Sequence, residues 1–128
     1  MSSGYTKHIG KECQFVIPRR RDRRLSDGEP HAPTALAWWR KQLWEKFGVR
    51  RWSGATEFSD WRDNSGPRVS DQLVKFTIAL PDDKVDELRQ LLMEACVVFC
   101  QECIYLRVGA DAELVYPPPG TWPQLVSE

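Results

Sequence analysis

No apolar run in the 128 residues comes near the roughly 20 consecutive positions that a helix needs to cross a bilayer. The opening MSSGYTKHIG has no apolar segment of the export-signal kind, so the expected location is the cytoplasm. The expected state of Cys13, Cys96, Cys100 and Cys103 is then the free thiol. Walker loop, H-E-x-x-H, nucleophile elbow and Rossmann glycine fingerprint are all missing, which removes the usual local grounds for nucleotide, zinc-protease or serine-hydrolase chemistry. Histidine is scarce: only His8 and His31 occur, neither beside a nucleophile. Net charge is missing too. The 18 Lys and Arg are matched by 18 Asp and Glu, which argues against a strongly basic nucleic-acid binder.

The zero total conceals a division. Residues 1–52 carry 12 basic and 5 acidic side chains, whereas residues 53–128 carry 6 and 13. These opposite charges are expected to meet within one domain, or between two copies of it.

What is present is apolar and aromatic. An apolar content of 41% with six tryptophans is enough for a core, and the length suits a single domain over 1–128. Within it, 1–11 reads as an N-terminal arm, 19–33 as a solvated basic loop containing RRRDRR, and 117–128 as a Pro-rich tail. Cys13–Ile17 is a short β-rich run closed by Pro18. A helix is expected over 35–47, with Thr34 as its N-cap and Gly48 just past its end. Leu36, Trp39, Leu43 and Phe47 recur on one face of that helix. Trp38 falls about 200° from Leu36 at 100° per residue, which marks it as an exposed contact residue. Strand-like stretches lie on either side of the turn Asp63-Asn64-Ser65-Gly66-Pro67. In the second, Val74, Phe76, Ile78 and Leu80 alternate toward a core. Pro81-Asp82-Asp83 opens a second helix with the stripe Val85, Leu88, Leu92, Ala95, Cys96 and Phe99. Cys103–Val108 and Ala112–Tyr116 follow as strands. The order β-α-β-β-α-β with a short extra strand predicts an α+β fold: a split βαβ, ferredoxin-like sandwich, with two helices on one face of an antiparallel sheet.

Cys96-x3-Cys100-x2-Cys103 has the spacing of a radical-enzyme iron–sulfur motif. Its cysteines fall on a helix stripe and in a strand, however, where a cluster loop has no room. Cys100-x2-Cys103 sits at a helix C-terminus, the wrong end to lower a thiol pKa. Core filling is the preferred reading, with no metal and no cofactor implied. Gln101 and Glu102 interrupt the passage from core helix to core strand. There Glu102 either bonds backbone amides or, if buried among apolar groups, acts as a proton acceptor.

The segments Trp61-x-Asp63-x2-Gly66, Val69-x-Asp71, the strand VKFTIAL and Gln101-Glu102-Cys103-Ile104-Tyr105-Leu106 together resemble small uncharacterised bacterial domain families. That resemblance spans roughly residues 36–115. It implies a ferredoxin-like α+β fold, with no established activity and no catalytic residues to transfer.

The expectation drawn from all this is a binding or interaction module with no established activity. It would associate with its own copies or another protein, with Trp38 and Trp122 as interface residues. A small-ligand enzyme with a cleft near Gln101, Glu102, Trp61 and Asp63 is the first alternative. Nucleic-acid binding through Arg19, Arg20, Arg21, Arg23 and Arg24 is the second, disfavoured by the neutral total.

Overall fold

The computed structural model describes residues 3–48, 55–61 and 69–120, with 55–61 and 69–72 as backbone only. Seven elements follow along the chain: β1 (Lys11–Pro18), α1 (Pro33–Phe47), β2 (Ala55–Trp61), β3 (Val69–Leu80), α2 (Asp82–Val98), β4 (Ile104–Val108) and β5 (Asp111–Val115). The sheet order is β2-β3-β1-β4-β5, and every neighbouring pair is antiparallel. The expected ferredoxin-like sandwich is the fold observed, widened by the extra strand β5 at the β4 edge.

The core follows from strand alternation. Cys13, Phe15 and Ile17 on β1 and Ile104, Leu106 and Val108 on β4 turn inward together, because Phe15 stands opposite both Phe76 and Leu106. Phe15 stacks on Phe76 with ring centres 5.2 Å apart, and Trp39 of α1 meets both rings edge-on at 5.9 Å. From α2 come Val85, Leu88, Leu91, Leu92, Ala95 and Cys96, the expected stripe with Leu91 added. Arg89 then ties α2 to the added strand. Its Nε donates to Glu113 Oε1 at 2.7 Å and its Nη1 to Asp86 Oδ1 at 2.6 Å.

Two details of α1 depart from expectation. The helix starts at Pro33, with Ala32 as N-cap and no side-chain cap from Thr34. Pro33 supplies a preset φ and lacks only an N–H that the first turn cannot use. The second correction concerns Trp38, which is not an exposed outlier: it packs against the core, 6.2 Å from Trp39 and 6.4 Å from Phe99. The buried stripe centres on Trp39, with Ala35, Trp38, Leu43 and Phe47 around it, and Leu36 lies toward its edge at 38% exposure. An angle measured from Leu36 therefore overstates how far Trp38 turns away. Gly48 ends the helix as expected, at φ 68°, its N–H bonded to the Trp44 carbonyl at 2.9 Å.

Candidate functional site

The antiparallel register brings the end of β1, the start of β4 and the end of β5 to one end of the sheet. The chain leaves α2 there through a glycine-like turn made without glycine. Cys100 takes φ 51°, with its N–H on Val97 O and the Gln101 N–H on Cys96 O at 2.8 Å. This is a Schellman closure with a cysteine in the left-handed position. It directs Gln101 inward and leaves Glu102 and Cys103 toward the surface.

The 19–32 segment folds onto that turn. The Asp22 N–H bonds the Cys100 carbonyl at 2.9 Å, and buried Gln101 donates its amide to Arg20 O at 2.8 Å and to Phe99 O at 2.9 Å. A single helical turn at Asp22–Ser26 sinks Leu25 into the interior. Arg21 N–H to Glu29 O and a bridge between Arg20 and Pro30 close the segment on itself. Its far end is fixed by His31, whose Nε2 donates to Pro18 O at 2.6 Å while the ring lies 4.6 Å from that of Phe99. Burial holds the His31 pKa below its ordinary value, so the ring stays neutral and Nδ1 is left without a partner among the described residues.

Three arginines of this solvent-exposed segment, Arg20, Arg21 and Arg24, face carboxylates. Arg21 grips both oxygens of Asp27 at 2.7 and 2.8 Å and holds that carboxyl at about 2. Arg20 faces Glu29 at 3.8 Å, and Arg23 lies against Gly28. Arg24 crosses to the other half of the chain, its Nη2 2.6 Å from Glu102 Oε2 and its Nε 3.9 Å from Asp22. Glu102 is thus a half-exposed partner of a guanidinium, not a carboxyl buried among apolar groups.

The three clustered thiols have three different partners. Cys96 Sγ points at Val115 O and burial pushes its pKa up to about 12. Cys100 is hydrogen-bonded with Ser26. Cys103 is raised by burial and then by the Glu102 charge, and it receives a hydrogen bond from the Tyr116 hydroxyl. Among the described residues no group of three His, Cys, Asp or Glu side chains could hold a metal ion.

Of the expected site residues, Arg20, Arg21, Arg24, Gln101 and Glu102 come together at this junction. Gln101 acts as scaffold and Arg24 with Glu102 faces solvent. Arg19 stands at the exposed start of the segment. Trp61 closes β2 at the same end of the sheet, opposite Val69, while Asp63 and Trp122 lie outside the described residues. Sequence reasoning did not reach His31, Cys103 or Tyr116 as parts of the site. The prolines on both sides of His31, Pro30 and Pro33, were a usable sign that the loop ends in a fixed shape.

The fold class is the ferredoxin-like α+β sandwich. No family model matches the chain, and no curated protein matches it by sequence. Two solved structures are similar to it in fold. A phage SAM lyase in complex with S-methyl-5′-thioadenosine is 13% identical, with a TM-score of 0.63 over 90% of this chain and 96% of the lyase. A phage SAM lyase in its apo state is 12% identical, with a TM-score of 0.56 over 88% and 96%. The expectation of a module with no established activity is corrected here, because an enzyme's fold corresponds to this chain almost end to end.

Proposed function

We propose that the chain is an enzyme acting on a small sulfonium or thioether nucleoside, a SAM lyase in reaction class. Its site is built on the junction of the 19–32 segment with Cys100–Cys103. The observation that carries this reading is the end-to-end fold correspondence with the phage lyases, covering nine-tenths of this chain. The chemistry makes modest demands on a small protein. Freeing S-methyl-5′-thioadenosine from SAM breaks the bond from sulfur to the amino acid's γ-carbon: the substrate's own carboxylate forms the new bond to that carbon, closing an amino-lactone, and the old bonding pair leaves with sulfur as a neutral thioether, so no acid is needed at the leaving group. The protein has to fix the flexible substrate and hold its charges, which is work for positioned polar groups on a rigid frame. A half-exposed guanidinium–carboxylate pair beside a tyrosine supplies such groups.

Two further expectations belong to the proposal. The enzyme works in the cytoplasm, in keeping with its free cysteines. Copies associate through the open sheet face, where Tyr105 and Leu114 stand opposite each other at 39% and 54% exposure. Light scattering checks the association.

Incubation of the purified protein with SAM, followed by chromatography and mass identification of the products, tests the activity. S-methyl-5′-thioadenosine accumulating well above a protein-free control is the expected result. No product at high enzyme concentration, with no binding of either compound, removes the proposal.

A further inference from the structure

The junction holds two kinds of ion pair. Arg21 and Asp27 are joined by two short parallel bonds six residues apart, a local brace. Arg24 and Glu102 are joined by one bond 78 residues apart, and both side chains face solvent, at 68% and 46% exposure. A single exposed bond of that kind contributes little to folding, so it can exchange partners readily. The segment does not depend on it: Asp22 N–H to Cys100 O and Gln101 to Arg20 O already dock the loop. Arg24 is further steadied by its own backbone N–H on Asp22 Oδ1 at 2.8 Å.

A guanidinium and a carboxylate side by side are the complement of an α-amino acid zwitterion, whose carboxylate and ammonium sit on one carbon. The Tyr116 ring is half-exposed, with its hydroxyl tied to Cys103, the residue that follows Glu102. An electron-rich ring face of this sort suits a cation without hydrogens to donate, such as a sulfonium. We infer that Arg24 and Glu102 part to bind the carboxylate and the ammonium of an amino-acid-bearing sulfonium, with Tyr116 beside the sulfonium centre. The pair thereby selects substrates that carry an amino acid end over nucleosides that lack one.

This inference rests on the proposed function and names the substrate group that the same site recognises. It separates SAM, which has the zwitterion, from S-methyl-5′-thioadenosine, which does not. Calorimetric titration of the full chain gives the test, on the wild type, Arg24→Ala and Glu102→Gln, with S-methyl-5′-thioadenosine and with S-adenosylhomocysteine, a thioether that keeps the zwitterion of SAM and lacks its sulfonium leaving group. Both variants are expected to weaken S-adenosylhomocysteine binding at least tenfold and to leave S-methyl-5′-thioadenosine binding within twofold. The latter compound also reports whether the variants fold. If the wild type binds both compounds and the variants weaken both alike, or neither, the clamp is wrong while the enzyme reading stands. If the wild type binds neither compound, the enzyme reading fails and the clamp falls with it.

Discussion

Around Phe15 and Leu88 the protein is held by burial: strand and helix side chains interlock with almost no surface left to water. At the junction of the 19–32 segment with the turn after α2, the chain is held mainly by named polar bonds, with Leu25 as its one deep apolar plug. Buried apolar contacts are numerous and individually replaceable, whereas a polar clip depends on a few atoms and can exchange them for those of a ligand. Phe99 belongs to both regions, fully buried at the end of α2 with His31, Trp38 and Trp39 around its ring.

The largest effect is therefore expected at Phe99. Phe99→Ala should cost about 3–5 kcal/mol, seen as a lower urea midpoint, because it empties the core and removes the surface under His31. Gln101→Ala should cost about 1–3 kcal/mol, because it strips a buried amide from the Arg20 and Phe99 carbonyls. Amide exchange should then speed up in residues 19–31 and stay slow in β1 and β4. Equal acceleration everywhere would erase the distinction between the two regions.

Acidity should loosen the clip in a definite window. Above the ordinary histidine value of 6.5, His31 is neutral in both folded and unfolded chains and its contribution is complete. As pH falls below 6.5, the unfolded chain takes up a proton that the buried ring refuses, so stability declines until the depressed folded pKa is reached. Stability of His31→Gln measured between pH 7 and pH 5 should be flatter than that of the wild type. Arg21→Ala should have the smallest effect, a slight drop in the thermal melting midpoint, since its pair with Asp27 lies at the surface.

The two regions also differ in how far the sequence disclosed them. The β-α-β-β-α-β order, the α2 stripe and the extra strand were legible, because periodic burial writes itself into local spacing. Trp38 is less legible, because Leu36 sits at the edge of the buried arc and Trp39 at its centre, so an angle from Leu36 points Trp38 wrongly toward solvent. The junction was hidden for another reason. Glu102 finds Arg24 across 78 residues, and Gln101 finds Arg20 across 81, distances at which composition carries no pairing signal. A run of arginines interrupted by Asp22, Asp27 and Glu29 reads as solvated charge until the fold shows each carboxylate beside a guanidinium.

The junction's role as a ligand site is tested most directly by following backbone amide resonances while S-methyl-5′-thioadenosine is added to the isotope-labelled protein. A ligand site at the junction should give saturable shifts concentrated in residues 19–32, 100–103 and 116, with the helix-covered strands β1 and β4 little changed. Shifts confined to some other surface, or none at saturating ligand, would contradict it.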